Sequence, residues 1–303
     1  MPIVAHDYSA NMTAQPFTTS DGRRLDLYVE GLDDATPLVF HCGTPGSGLP
    51  FPALERALRE RGLRYVSWSR PGYGSSTRQE GRAITSVVDD AIEILDALRV
   101  DSAWVLGWSG GGPHALACAA LMPDRVRGTA LIGCVAPYDA DGLDFLDGMG
   151  RENIEEFNAA LDGPDALIGF KEAAWPSFRR IEPPEIAAAL GDLVDDVDRS
   201  SISGGFAEWL AAIMQDGLRE SYWGWFDDDM LFVRDWGFDL AGIPGPVHVW
   251  HGAHDRMVPF AHAEWLAEHV GGACPHLFDD HGHLTLLVDA LPSILDELIA
   301  PGD

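Results

Sequence analysis

Short apolar segments rich in β-branched and aromatic residues recur along the chain and alternate with helical patterns. Ile84–Leu98, for example, has apolar residues at 84, 87, 88, 91, 92, 94, 95 and 98, the period of a helix. Such alternation is typical of an α/β fold, a mainly parallel sheet covered by helices. The predicted strands are Leu25–Val29, Leu38–His41, Tyr65–Ser69, Ala103–Gly107, Thr129–Val135, Val247–His251 and His276–Phe278; further predicted helices are Pro113–Leu121, Phe260–Val270 and Leu284–Ile299.

The alternation stops after Val135. Between residues 137 and 242 no strand pattern is evident, whereas helical patterns occur at Ile186–Leu193 and Phe206–Met214. We therefore predict a helical cap, residues 137–242, inserted into an α/β core made of residues 1–136 and 243–303. Six aromatic residues cluster in the predicted cap, at Trp209, Tyr222, Trp223, Trp225, Phe226 and Trp236.

The charge balance narrows the class of partner. The 303 residues include 48 acidic and 20 basic side chains, a formal net charge of −28, and Lys171 is the only lysine. A chain this acidic repels phosphate backbones and anionic lipid headgroups, so we expect neither nucleic acid nor a membrane surface as partner. We expect a small-molecule substrate instead, and the sequence leaves room for a homo-oligomer.

The N-terminal residues and the lack of a long apolar segment favour an intracellular chain. No basic region followed by an apolar run occurs in Met1–Asp7, and no segment is long and apolar enough to cross a bilayer, so we expect a cytoplasmic protein. The four cysteines, at 42, 118, 134 and 274, are far apart and form no CxxC pair. We predict that they are small buried residues rather than a disulfide or zinc framework.

The strongest local motif is Gly107-Trp108-Ser109-Gly110-Gly111. It follows a predicted strand and precedes a predicted helix, which is the context of the G-x-S-x-G nucleophile elbow. A sharp turn there lifts the serine above the sheet, and the flanking glycines let strand and helix approach closely. Two alternatives are a glycine-rich turn without chemistry and a phosphate-binding loop. The second lacks the required G-x-x-x-x-G-K-[ST] and G-x-G-x-x-G spacings.

A serine nucleophile needs a base and a group that orients it. Asp255 follows the predicted strand at 247–251, and His283 follows the next predicted strand. Ser109, Asp255 and His283 are therefore predicted to form a catalytic triad. Asp255 could instead cap the helix after Pro259. Asp139 is the alternative position for the acid. His281 competes with His283 for the role of base.

These motifs together make the chain similar to the α/β-hydrolase superfamily, from about residue 25 to 299. His41-Cys42-Gly43-Thr44-Pro45-Gly46 resembles the H-G-x-P-G oxyanion loop, and the segment from Ser69 to Ser76 resembles the D-x-P-G-x-G-x-S turn. The resemblance implies an eight-stranded, mainly parallel sheet with helices on both faces and an inserted cap. It also implies an oxyanion hole formed by the backbone N–H groups of Gly110 and Thr44.

The chain departs from the family pattern at two positions. Cys42 stands between the usual histidine and glycine, so the oxyanion donor could be Gly43 or a neighbour of Pro45 rather than Thr44. Ser69 stands where an aspartate is common, and we interpret this difference as structural.

Histidines at 248, 251, 254, 281 and 283 raise the question of a metal site. Positions 248 and 251 point to opposite faces of a strand, and no H-E-x-x-H motif accompanies them. We therefore expect neither a metal nor a cofactor.

The resemblance favours a serine hydrolase that cleaves a small ester or lactone. In this superfamily a serine at the elbow argues against dehalogenase and epoxide hydrolase chemistry, which use an aspartate. Trp108, Trp223, Trp225 and Phe226 are the predicted substrate-binding residues of an apolar pocket, although aromatics of this kind also form cap cores. No carboxylate pair for a substrate amine is evident. The alternatives are a proline iminopeptidase-like or C–C bond hydrolase, and a ligand-binding relative without activity.

Overall fold

The computed structural model describes residues 14–300, so the stretch Met1–Asp7 and the two ends of the predicted core lie outside it. Eight strands form one sheet in the order β1-β2-β4-β3-β5-β6-β7-β8. β2 pairs antiparallel with β1 and β4, and all other neighbours are parallel. The strands are β1 Gln15–Thr18, β2 Arg24–Glu30, β3 Pro37–His41, β4 Arg64–Trp68, β5 Ala103–Trp108, β6 Val126–Ile132, β7 Val247–Gly252 and β8 Ala273–Phe278.

The predicted mainly parallel sheet is confirmed, with differences in individual strands. β1 was not predicted, because it is a four-residue edge strand that is largely exposed and therefore carries no apolar pattern. β6 ends at Ile132 rather than Val135, because Gly133 adopts a φ of +57° that extended strands do not use.

Helices cover both faces of the sheet. They are α1 Pro52–Glu60, α2 Ser86–Ala97, α3 Gly112–Leu121, α4 Arg151–Asp162, α5 Pro164–Phe178, α6 Ile186–Ala189, α7 Asp196–Ser201, α8 Gly204–Gly217, α9 Trp223–Phe232, α10 Phe260–His269, α11 His283–Asp289 and α12 Leu291–Leu298. The predicted single helix Leu284–Ile299 is two helices, because Pro292 cannot donate to an uninterrupted helix and instead occupies the first turn of α12.

The segment between β6 and β7, residues 133–246, contains α4–α9 and no strand; we call it the helical insertion. Trp209 of α8 is fully buried and anchors it to the sheet domain. Its ring centroid lies 4.5 Å from that of Phe51 and 5.6 Å from that of Trp108. Its Nε1–H donates to the carbonyl of Leu49 at 3.2 Å.

The parallel strands direct four connecting segments to one edge of the sheet. The segments after β5, β7 and β8 carry Ser109, Asp255 and His283, and the loop after β3 carries Thr44. Because the carboxyl ends of parallel strands meet at the same edge, these residues converge although they are distant in the sequence. None of the helices within residues 14–300 has both the length and the apolar character needed to cross a membrane.

Candidate active site

Ser109 occupies a strained turn between β5 and α3. Its φ is +55°, and among the described residues other than glycine only Arg99 shares this left-handed conformation. The neighbouring glycines are sterically required, because a Cβ on Gly111 would overlap the carbonyl of His41 and one on Gly107 would lie 2.8 Å from the Cβ of Ala115. Ser109 is half-buried and lines a mostly apolar cavity. A positive φ at a residue between a strand and a helix is the geometry that a nucleophile elbow requires.

His283 and Asp255 form a buried hydrogen-bonded pair. Nδ1 of His283 lies 2.7 Å from Oδ2 of Asp255, and both side chains are almost entirely buried. An ionised carboxylate only accepts, so Nδ1 carries the proton. Nε2 of His283 is buried and has no hydrogen-bond partner among the described residues, and His283 lines the same cavity as Ser109. Nε2 is therefore the nitrogen available to accept the proton of a nucleophile.

Asp255 is itself held in place by backbone groups. Its Oδ1 accepts from the N–H of Met257 at 2.9 Å and of Val258 at 2.7 Å, which fixes the loop after β7. The other two candidates lie elsewhere. Asp139 is exposed, and His281 pairs with Asp280 at 2.7 Å and does not line the cavity.

The surroundings of His283 favour its protonated form. Burial alone would lower the pKa of His283, but the negative charge of Asp255, their hydrogen bond and the charge of Asp198 outweigh it and raise the pKa above 6.5. An imidazolium that forms during a reaction is therefore stabilised by the two carboxylates.

The loop after β3 completes one side of the cavity. Gly43, Thr44 and Gly110 line it together with Ser109. Thr44 and Gly110 are in close contact, since a Cβ on Gly110 would lie 2.9 Å from the Cβ of Thr44. The predicted oxyanion residues are thus adjacent, and Gly43 and Thr44 both remain candidates for the second donor.

The cavity has a volume of about 200 Å³ and is mostly apolar. Trp108 and Trp225 line it together with side chains from α4, α5 and α8. Its size suits a small substrate, since pockets for drug-sized ligands have volumes of roughly 300–1,000 Å³.

Trp223 and Phe226 do not line this cavity, contrary to prediction. Residues 225, 229 and 232 share one face of α9 and line the cavity, whereas Trp223 and Phe226 lie on another face, because each residue advances by about 100°. The guanidinium of Arg78 lies 3.9 Å from the centroid of the Trp223 ring, and Phe226 packs against Leu167 and Met230.

The cavity contains carboxylates that the sequence analysis did not identify. Glu152, Glu155, Glu156 and Asp229 line it, and no lysine or arginine does. Lys171 lies fully buried behind them, where Nζ donates to Glu156 at 2.5 Å, pairs with Asp229 and lies 3.5 Å from the centroid of Trp225. Burial and the charge of Glu156 raise the pKa of Asp229 well above its ordinary value, although Lys171 opposes this shift.

Two further residues position His283. Asp198, from α7 of the helical insertion, accepts from the N–H groups of His283 at 2.8 Å, Leu284 at 2.9 Å and Thr285 at 2.9 Å. It thus caps the N-terminus of α11. Gly133 lies against the His283 ring, because a Cβ there would lie 2.7 Å from Nδ1. Gly133 could have been noticed in the sequence, because it directly follows a predicted strand. Asp198 could not, because its contact with α11 joins segments that are far apart in the chain.

The remaining histidines and cysteines occupy other places. His248 stacks on His276, and no group of three potential metal ligands occurs within residues 14–300. Cys42, Cys118 and Cys134 are buried, as predicted, whereas Cys274 on β8 is half-buried.

Comparison with known proteins gives a consistent family. The model of the alpha/beta hydrolase family matches residues 38–291. A non-heme chloroperoxidase of Streptomyces lividans is 29% identical over 81% of this chain and 84% of its own length. A 2-hydroxymuconate semialdehyde hydrolase of Pseudomonas putida is 26% identical over 93% and 92%. The structure of an esterase from Exiguobacterium antarcticum superposes with a TM-score of 0.67 at 23% identity, covering 94% of this chain and 99% of that one. Other relatives include a bifunctional esterase/perhydrolase.

Proposed function

The chain belongs to the alpha/beta hydrolase family, and on that premise we propose that it is a serine hydrolase that cleaves small esters or lactones. The observation that carries the proposal is the buried His283–Asp255 pair beside Ser109 in one apolar cavity. This arrangement has the parts of a nucleophile, a base and an orienting acid.

In the proposed mechanism, Nε2 of His283 takes the hydroxyl proton of Ser109 as the serine oxygen attacks the substrate carbonyl carbon. Asp255 holds the imidazole and stabilises its charged form. The tetrahedral oxyanion accepts hydrogen bonds from the backbone of Gly110 and of Thr44 or Gly43, each worth roughly 3–4 kcal/mol. The intermediate collapses, and the alcohol leaves with the proton of His283. Water, deprotonated by the same histidine, then attacks the acyl-enzyme and releases the acid and Ser109.

The lining of the cavity supports an uncharged substrate or one that carries an amine. Four carboxyl side chains line it, and Lys171 and Arg151, which pair with them, do not. A substrate carboxylate would therefore lose its hydration in the cavity without gaining a lysine or arginine partner. The substrate named for the Pseudomonas putida relative, a muconate semialdehyde, is a carboxylate, and no lysine or arginine lines this cavity to receive one. We therefore place the ester or lactone ahead of the C–C bond hydrolase.

The helical insertion acts in this proposal as a cap that selects the substrate. Trp225, Phe170 and Leu210 come from three of its helices and form much of the apolar wall. The core is then formed by the sheet and its covering helices, with the boundaries near residues 137 and 242.

A second candidate is an amide or peptide hydrolase for substrates with a free amine. The observation that favours it is the acidic wall of Glu152, Glu155 and Glu156 beside the nucleophile. A binding protein without activity is a further alternative, and the same experiment separates it from both.

The test is covalent labelling of the purified protein with a fluorophosphonate, read by peptide mass spectrometry, together with hydrolysis of p-nitrophenyl acetate and butyrate. We expect one adduct, on Ser109, that is abolished in Ser109→Ala and weakened in His283→Ala. An amino-acyl p-nitroanilide tests the amide candidate. Folded protein that neither labels nor turns over would contradict the hydrolase proposal and leave the binding protein.

A further inference from the structure

A buried carboxylate of the helical insertion contacts the loop after β3. Asp228 on α9 is fully buried and accepts hydrogen bonds from four side chains. The donors are Thr44 Oγ1 at 2.8 Å, Arg70 Nη2 at 2.6 Å, Tyr73 Oη at 2.8 Å and Arg82 Nη2 at 2.5 Å. A carboxylate that receives so many donors is fixed in orientation, and it fixes its partners in turn.

Arg70 extends this network to the backbone of the same loop. Its Nη1 donates to the carbonyl of Cys42 at 2.5 Å, and its Nη2 donates to the carbonyl of Gly43 at 3.2 Å. In a planar trans peptide the C=O and the following N–H point in opposite directions. The N–H groups of Gly43 and Thr44 therefore point away from Arg70, and both residues line the cavity that contains Ser109.

The charges of the network are also unbalanced. Arg70 and Arg82 contribute two positive charges against the single negative charge of Asp228. Burial and the charge of Arg70 hold the pKa of the neighbouring His114 well below its ordinary value, so His114 adds no charge at neutral pH. One excess positive charge thus lies behind the loop.

We propose that Asp228 is a positioning residue for the oxyanion hole: it holds the Thr44 side chain and Arg70, which together orient the loop N–H groups that receive the oxyanion. The inference rests on the proposed serine hydrolase function. It assigns the helical insertion a part in the chemical step, in addition to its part in selecting the substrate.

Asp228→Asn separates positioning from bulk electrostatics. The amide keeps the size of the side chain but removes its charge, so the positive charge behind the loop increases. Only one acceptor oxygen then remains for donors that now use both carboxylate oxygens, so Arg70 and Arg82 can no longer both be held. If the network acted only through charge, kcat would be kept or raised. If it positions the donors, kcat for p-nitrophenyl butyrate falls by about 10- to 100-fold with KM within a factor of two, since removal of a whole oxyanion donor costs about 10²- to 10³-fold.

The matched control is Asp227→Asn. Asp227 precedes Asp228 on the same helix and is buried, but it pairs with Arg78 on the far side at 2.8 Å and does not contact the loop. We expect its kinetics to stay close to those of the unchanged protein. Fluorophosphonate labelling of Ser109 in the unchanged protein is measured in parallel, so that failure of the hydrolase proposal is recognised separately.

A second pair of variants decides the question if Asp228→Asn does not fold. Thr44→Val removes the hydroxyl that reaches Asp228 but keeps the backbone N–H, and Thr44→Ser restores the hydroxyl. A drop in kcat in Thr44→Val that is largely reversed in Thr44→Ser supports the inference. The inference is overturned if Ser109 of the unchanged protein labels normally and either Thr44→Val or folded Asp228→Asn has the same kcat as that protein.

Discussion

Nδ1 of His283 lies 2.7 Å from Oδ2 of Asp255, and the same carboxylate oxygen lies 3.3 Å from Nε2 of His251. His251 in turn contacts the carbonyl of Val258 at 2.8 Å through the same nitrogen. Burial lowers the pKa of His251, so His251 remains neutral at neutral pH while the pKa of His283 is raised. The two histidines therefore share one carboxylate, but their pKa values are shifted in opposite directions.

Asp255→Asn is expected to lower kcat for p-nitrophenyl butyrate by about 10⁴-fold, because the amide favours the wrong imidazole tautomer and no longer stabilises the imidazolium. Steady-state kinetics measure the effect. The control is Asp139→Asn, which changes the exposed alternative acid and should leave kcat unchanged. If Asp139→Asn lost activity and Asp255→Asn did not, the assignment of Asp255 as the acid would be wrong.

The pH dependence of kcat/KM should show an acid limb above 6.5. The raised pKa of His283 means that its neutral, base-competent form predominates only at higher pH, so activity rises as the pH increases through that pKa. In Asp255→Asn the limb moves to lower pH, because burial then acts without the opposing carboxylate. Profiles of kcat/KM between about pH 5 and 9 test both statements, and a limb that moves upward in the variant would refute the assignment.

Asp198→Asn should destabilise the protein by about 2–3 kcal/mol, because charge-assisted hydrogen bonds to the first N–H groups of α11 are replaced by an amide with a single acceptor oxygen. Urea unfolding gives the free energy. Asp196→Asn, an exposed neighbour on α7, is the matched control. If the two variants unfold at the same denaturant concentration, the capping role of Asp198 is wrong.

The acidic wall of the cavity should discriminate between substrates by charge. We compare three p-nitrophenyl esters: the butyrate, the 4-aminobutyrate and the succinate hemiester. We expect kcat/KM for the negatively charged hemiester to be at least about tenfold lower than for the other two. Two like charges about 8 Å apart repel by roughly 2 kcal/mol at an effective dielectric constant of about 20.

Glu155→Gln should narrow this difference, because Glu155 lines the cavity, whereas Glu268→Gln on the exposed face of α10 should not. A hemiester that is hydrolysed as fast as butyrate would contradict the charge argument and restore anionic substrates to consideration.

The elbow was predictable from sequence because its constraints are local. The sequence shows glycines at 107 and 111 between a strand pattern and a helix pattern. They indicate that the backbone near Ser109 packs closely against its neighbours. Asp255 and His283 were predictable for a topological reason, since each follows a strand whose carboxyl end meets the same sheet edge.

The walls of the site were not predictable in the same way. Asp227, Asp228 and Asp229 were not identified as site residues, because consecutive acidic residues are mostly exposed in proteins, yet all three are buried. Successive residues of a helix point about 100° apart, so one pairs with Arg78, the next with Arg70 and the last with Lys171. Which direction faces the nucleophile depends on how α9 docks, and tertiary packing decides this. Trp223 and Phe226 were misplaced for the same reason.

The buried position of Lys171 protects the folded chain from reagents that modify lysine side chains. Apart from the α-amino group, its ammonium is the one primary amine available for acylation, and it is enclosed by Glu156, Asp229 and Trp225. Amine-directed crosslinkers and lysine-specific proteases therefore have no side chain to attack until α5 and α9 separate. The rate of modification at this single site would report the opening of the helical insertion, and the protein carries that reporter without any engineered label.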